Sequence, residues 1–366
     1  MLVSGYEFID DAARLAEAVD GLAAAGRWAI DTEFVRERTY LPRLCLVQLA
    51  VPGRILLVDA LPSGVREFLD RLLRSERRTK LLHAARQDVE ALLPLTGEPL
   101  APVFDTQLAA ALLGFPSQVG YAELVRQVLG VELAKGHART DWATRPLSTE
   151  QLAYAADDVR YLGPVAEELE SRLAAAGRLS WHEEDCSSLA EPSLYRVEPA
   201  DAWRRLKGLE RLRPEEVAVA RALAAWREER ALRKNLPRGW ILADEAIREL
   251  ARRRPDTAAG LRNVPGLQPG AAAKLADELL ALIRGAPAHA GDDEVRPVAE
   301  RLTPEQQAAT RRLQEALQAL SSELGIGAEV LATRRELTAI VRGGRDLPCL
   351  RGWRHEVVGQ RLLAAV

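Results

Sequence analysis

The stretch Trp28-Ala29-Ile30-Asp31-Thr32-Glu33-Phe34 decides the fold, because it reads as a buried strand carrying two acids. Side chains at i and i+2 of a strand point to one face, so Asp31 and Glu33 project together. Side-by-side carboxylates repel, and burying both is costly without a compensating charge. A divalent cation resolves the conflict, since hard oxygen ligands are what magnesium and manganese prefer. An Asp-x-Glu pair alone also fits a solvated strand face, so the neighbouring elements decide.

Working outward, apolar runs at Leu44–Val51 and Ile55–Val58 predict two further strands. The Pro52-Gly53-Arg54 turn between them predicts a hairpin. Asp10 and Asp11 precede helical spacing over Ala12–Ala25. Residues 65–74 are again helical in spacing, and Lys80–His83 reads as a buried strand. From Val89 onward helical signals dominate, at Gln107–Leu113, Tyr121–Leu129 and from Thr149 to about Ala176. Strands first and helices later, with an early hairpin, predict a mixed sheet flanked by helices.

A polar, proline-punctuated linker covers residues 185–200, and beyond it no strand is expected. Residues 201–284 read as short helices broken at Pro237-Arg238-Gly239 and Val264-Pro265-Gly266. After a second linker from Gly285, Thr303-Pro304-Glu305-Gln306 opens another helical unit, with Thr303 as N-cap, Pro304 at the first position and Gln306 closing a capping box. The expected domains are residues 1–190, 203–288 and 296–366. Residues 1–193 carry 20 basic and 29 acidic side chains, whereas 194–290 carry 19 and 13. An acidic segment joined to a basic one fits a metal-binding catalytic unit beside a phosphate-binding one; two ordinary solvated surfaces would also produce it.

No apolar run reaches the roughly 20 residues of a membrane span, and Met1-Leu2-Val3-Ser4-Gly5 lacks the look of a secretory signal. Cys45, Cys186 and Cys349 are few, odd in number and far apart, which suggests reduced thiols in a cytoplasmic protein.

Two further acidic elements join the first. Leu81-Leu82-His83-Ala84-Ala85-Arg86-Gln87-Asp88 runs from a strand end into a helix, with Asp88 in the first turn, where the helix dipole favours a carboxylate. His83 reads as a strand-end residue rather than a ligand. In Tyr154-Ala155-Ala156-Asp157-Asp158, the i and i+4 residues Tyr154 and Asp158 share a helix face, with Asp157 a competitor slightly around it.

In order and type these elements resemble the three exonuclease motifs of the DEDD superfamily, in the subclass with a tyrosine in the third motif, and within it the ribonuclease D family. Leu44-Cys45-Leu46-Val47-Gln48-Leu49, Phe104-Asp105-Thr106-Gln107 and Thr140-Asp141-Trp142 through Arg145-Pro146-Leu147 to Tyr154 resemble that family as well. The resemblance implies an α/β ribonuclease-H-like exonuclease domain, in which Asp31, Glu33, Asp88 and Asp158 hold two divalent metal ions, Mg2+ or Mn2+. The family spacing of tyrosine, three residues and an acid selects Asp158 over Asp157. Tyr154 is then expected to orient the attacking water, because an ordinary tyrosine is a weak base. Lys135 and Arg145 are candidates for holding phosphates, with a plain surface role as the alternative.

Residues 203–284 resemble the HRDC domain, carried by Leu212-Arg213-Pro214-Glu215-Glu216, Trp226, Leu236-Pro237, Ala243-Asp244-Glu245-Ala246 and Asn263-Val264-Pro265-Gly266. Arg227, Arg230, Arg233, Lys234 and Arg238 could form a phosphate-binding stripe or a solvated helix face. The segment around Gly352-Trp353-Arg354-His355 resembles a second, diverged unit, giving two small all-α HRDC-type domains. The implied activity is 3′-to-5′ hydrolytic trimming of RNA with a free 3′ end, transfer-RNA precursors in particular, releasing nucleoside 5′-monophosphates; nothing in the sequence suggests an obligate dimer, so a monomer is expected. Two other readings stay open at this level: an exonuclease of the same fold acting on DNA, and a non-catalytic nucleic-acid-binding protein.

Overall fold

The apolar strands read from the sequence all form. In chain order the strands are β1 (Glu7–Ile9), β2 (Arg27–Val35), β3 (Arg43–Val51), β4 (Arg54–Asp59), β5 (Thr79–Leu82) and β6 (Val103–Asp105). They make one sheet in the order β1-β4-β3-β2-β5-β6. β3 pairs antiparallel with both neighbours, whereas β1, β5 and β6 pair parallel to theirs, so the sheet is mixed. β3 is buried along nearly its whole length, which explains its continuous apolar run. The β3–β4 hairpin closes as expected, with Val51 opposite Arg54 and Gly53 at φ 88°, where a side chain would be strained. β1 and β6, three residues each, are too short to show a two-residue period and were not expected.

This computed structural model describes residues 5–20, 22, 25–134, 136, 140–287 and 302–366. Among these residues eight helices lie between β1 and Pro192: α1 (Ala12–Asp20), α2 (Ser63–Leu73), α3 (Arg86–Thr96), α4 (Thr106–Leu112), α5 (Tyr121–Leu129), α6 (Thr149–Arg160), α7 (Leu162–Ala175) and α8 (Leu179–Ser188). The long helix expected from Thr149 is therefore two helices. The Tyr121 hydroxyl sits between the carbonyl of Asp157 (3.3 Å), to which it donates, and the N–H of Tyr161 (3.2 Å), from which it accepts. Those two backbone groups would otherwise bond each other; the inserted phenol satisfies them where Pro164, which has no N–H to offer the Arg160 carbonyl, interrupts the helical ladder.

By contact density the chain forms two units. The first joins residues up to Val35, Arg43–Pro192 and Leu302–Val366; the second joins Arg36–Pro42 with the residues from Ser193. The second unit is helical: α9 (Pro214–Lys234), α10 (Arg238–Ile241), α11 (Asp244–Arg253), α12 (Ala258–Arg262), α13 (Pro269–Lys274) and α14 (Ala276–Gly285), around a core that includes Leu223, Ile247, Leu261 and Leu279.

The C-terminal residues fold as α15 (Pro304–Leu324), α16 (Ala328–Leu331), α17 (Arg334–Val341) and, after a 3-10 turn at Pro348–Leu350, a continuous helix over residues 352–364 that widens to π geometry at His355–Gly359. The capping box read at Thr303 is formed: Gln306 N–H donates to Thr303 Oγ1 (3.2 Å) and Thr303 N–H to Gln306 Oε1 (3.1 Å). Leu313, Leu317, Ile340, Trp353 and Leu362 share one apolar core with Phe104, Ala109, Leu124 and Leu169 of the sheet unit. Trp353 stacks on Trp181 with centroids 4.5 Å apart and planes 4° from parallel. Its indole N–H donates to Asp185, which also pairs with Arg354.

Candidate active site

Strand β2 delivers the first two acids as its alternation requires. Ligand oxygens of Asp31, Glu33 and Asp158 all lie within 4.8 Å of one another, and the three side chains are partly buried. A cavity of about 480 Å³ is lined by this trio together with Asp88 and Tyr154, and also by His83 and Tyr121. Asp88 is set apart from the trio. Its Oδ1 accepts the Thr32 hydroxyl at 2.6 Å, so the residue between the two strand acids reaches the helix acid.

Asp88 occupies the first turn of α3. The chain enters that helix through a turn in which Ala84 takes φ 56°, a left-handed conformation uncommon outside glycine. The Asp105 carboxylate holds the turn by accepting the N–H groups of Ala84 (3.1 Å) and Ala85 (2.8 Å). The same carboxylate caps α4 through the N–H groups of Gln107 (2.8 Å) and Leu108 (3.4 Å). One acid thus ties the entry of α3 to the start of α4.

Helix α6 starts at a capping box between Ser148 and Gln151. One turn separates Tyr154 from Asp158, and the Tyr154 hydroxyl hydrogen-bonds the Asp158 carboxylate. Asp157 is drawn elsewhere, into an ion pair with Arg160 at 2.7 Å. Of the two adjacent acids, the geometry therefore brings Asp158 into the cluster.

Crowding raises the proton affinity of all four acids. Burial, then the other carboxylates, pushes Glu33 up to about 10. Asp158 is raised to about 7, mainly by burial, with the Tyr154 hydrogen bond opposing. Asp31 and Asp88 are also raised well above the carboxylate range, by burial and then by the neighbouring charges of Asp158 and Asp31 respectively. Burial likewise raises Tyr154, followed by the charges of Asp158, Glu33 and Asp31. Oxygen donors that resist ionisation together fit a divalent cation, whose charge would let them ionise together.

Other expectations fared differently. Arg145 is not available for phosphate. Its five N–H groups donate to both oxygens of Asp59 (2.7 and 2.8 Å) and to the carbonyls of Trp142, Thr144 and Cys45. It is a brace joining the segment before α6 to β3 and β4. Lys135 lies outside the described residues. His83 commits its Nε2–H to the Val119 carbonyl and its Nδ1 to Thr106 Oγ1, each at 3.0 Å, in keeping with a strand-end role.

The five basic residues from Arg227 to Arg238, on α9 and α10, do not form one free stripe. Arg227 is buried against the Leu242 carbonyl and Asp244, Arg230 pairs with Glu278, and Arg238 pairs with Glu228. Only Arg233 and Lys234 of that set are exposed. The three cysteines are free and buried. Sequence reading gave no role to Thr32, Asp105 or Tyr121, although Asp105 lies in a stretch already singled out.

Comparison with known proteins matches this architecture. A family model described as 3′-5′ exonuclease matches residues 6–174, and one described as HRDC domain matches residues 216–283. The ribonuclease D of Acidiphilium cryptum is 41% identical over 362 residues, covering 97% of this chain and 91% of its own. That of Pseudomonas paraeruginosa is 37% identical over 368 residues, covering 98% and 97%. The crystal structure of Escherichia coli RNase D, described as an exoribonuclease involved in structured RNA processing, superimposes with a TM-score of 0.87 at 31% identity, covering 99% of this chain and 98% of its own. Motif order, sheet topology and near full-length similarity lead to one conclusion: the chain belongs to the ribonuclease D family of 3′-5′ exoribonucleases.

Proposed function

We propose that this exoribonuclease trims RNA with a free 3′ end, transfer-RNA precursors among its substrates, at a centre built from Asp31, Glu33, Asp88, Asp158 and Tyr154. The observation carrying this reading is the meeting of three ligand oxygens within 4.8 Å from β2 and α6. Asp31, Glu33 and Asp158 would hold one divalent cation, and Asp31 with Asp88 a second, Mg2+ or Mn2+. Bound cations of this kind lower the pKa of water and neutralise phosphate charge. Tyr154 orients the attacking water rather than deprotonating it, because its own proton is held more tightly than in free tyrosine. Thr32 keeps Asp88 aimed by donating to it, and the bond offsets part of the burial that raises its proton affinity.

The division into residues 1–190, 203–288 and 296–366, with a diverged HRDC-type unit at the end, belongs to the same reading. So do a monomeric state and a cytoplasmic location; among the described residues no helix is long and apolar enough to cross a membrane.

The test is incubation of purified protein with a 3′-extended transfer RNA and with a matched DNA single strand, with and without a chelator. Stepwise shortening of the RNA with release of nucleoside 5′-monophosphates, stopped by the chelator, is the expected result. Equal digestion of DNA would redefine the substrate class. RNA shortening that persists in the chelator would remove the metal reading.

A further inference from the structure

Among the described residues three large apolar side chains are exposed, and two of them, Leu232 (51%) and Trp240 (62%), lie eight residues apart in the helical unit. The third is Val366. Leu232 lies in the last turn of α9 and Trp240 on α10; between them Asn235 turns the chain with φ 48°. The corner is fixed from below. Asn235 Oδ1 accepts the N–H of Leu41 at 3.0 Å, and the Arg238 guanidinium lies over the Tyr40 ring at 5.1 Å while pairing with Glu228 at 2.7 Å. Arg233 and Lys234 are exposed beside the turn, and the space beside Gly239 is open. One exposed acid, Glu229, precedes Arg233 by a helical turn.

An indole held in water on a rigid turn is unusual, since tryptophan is highly buried on average. A stable protein partner would call for an apolar core spread over about 800 Å² per side, and two isolated apolar side chains do not supply it. An aromatic face beside cations is instead the pattern that binds single-stranded nucleic acid, where bases stack and phosphates pair. The charge agrees, because residues 194–290 carry six more basic than acidic side chains.

We propose that Trp240 is a stacking platform for an unpaired base of the RNA substrate, with Arg233 and Lys234 taking the adjoining phosphates. This inference rests on the exoribonuclease reading, and the platform favours unpaired over paired RNA because a duplex hides its base faces.

The test uses the full chain, a 20-nucleotide oligoadenylate and a blunt RNA duplex of equal length, with binding measured in chelator so that nothing is hydrolysed. W240A should weaken oligoadenylate binding on the order of tenfold, with duplex binding unaltered. W240F, which keeps an aromatic face, should retain most of the affinity and shows that loss in W240A is not misfolding. R233A/K234A should lower the slope of log affinity against log salt by roughly 1.4, about 0.7 per phosphate contact on a single strand. Wild-type affinity for oligoadenylate in W240A, or an equal loss for single strand and duplex, overturns the platform. Wild-type protein that fails to shorten the same oligoadenylate once magnesium is added sinks the exoribonuclease reading instead.

Discussion

Thr32 donates its hydroxyl proton to Asp88 at 2.6 Å, linking residues 56 positions apart. The bond favours the ionised carboxylate and opposes the burial that raises its proton affinity. Thr32→Val keeps the shape and removes the donor. Partners that orient metal ligands are worth 10–100-fold when lost, so the magnesium concentration for half-maximal rate should rise about tenfold, with Thr32→Ser near wild type. A magnesium titration of the RNA-trimming rate checks this, and an unshifted midpoint in the valine variant would contradict it.

Without metal the acid cluster should destabilise the fold as pH rises. Glu33 moves from 4.5 to about 10 and Asp158 from 3.8 to about 7 on folding. A raised carboxylate costs nothing below its unfolded pKa, because both states are then protonated. Above it the unfolded state sheds protons that the folded state retains, and stability falls with pH until the folded pKa is passed. In chelator, Tm should therefore drop between pH 5 and pH 8, and magnesium should raise Tm more at pH 8 than at pH 5. Asp31→Asn removes one of the mutually repelling charges: it should abolish hydrolysis while raising the metal-free Tm at pH 8. Calorimetry at the two pH values decides the matter; a metal-free Tm that climbs with pH would show that the cluster is not strained by repulsion.

Tyr154→Phe separates orientation from proton abstraction. With the hydroxyl bonded to Asp158 and its proton affinity raised, the rate should fall about 10–100-fold, as for loss of a partner that orients a metal ligand. The alkaline side of the pH–rate profile should keep its shape. A wild-type rate that climbs steadily up to pH 10, with the climb lost in the phenylalanine variant, would instead make the tyrosine the base.

Arg145→Lys should act on stability alone. Lysine cannot reproduce the planar fork that serves Asp59 and three carbonyls. A loss of about 2 kcal/mol in urea unfolding is expected, with KM for RNA unchanged. A raised KM with unaltered stability would return Arg145 to the phosphate-binding residues.

The acids were legible because their chemistry shows in residue type and their faces follow from strand and helix periods. Asp31 with Glu33 and Tyr154 with Asp158 are local pairs, so spacing alone places each pair on a face. Asp157 was ambiguous for the same reason, and Arg160 three residues later was the available clue to its removal. Asp105 escaped because it works through backbone N–H groups of Ala84 and Ala85, which no residue type reveals. Arg145 misled because its partner Asp59 lies 86 positions away. The break between α6 and α7 was legible in Gly163-Pro164, a local stop signal that the helical spacing around it masked; the Tyr121 hydroxyl that fills the gap comes from another element and left no such sign.

The shared core of α4, α5 and α7 with residues 313–362 has a consequence for biogenesis. As the chain leaves the ribosome, the nuclease half emerges with one apolar flank uncovered, and that flank is closed by helices translated more than 100 residues later. The wrapping of Trp181 by Trp353 is accordingly a late event in maturation. A nascent chain stalled near residue 300 should be sticky, protease-sensitive and attractive to chaperones, although every acid of the cluster has already been made.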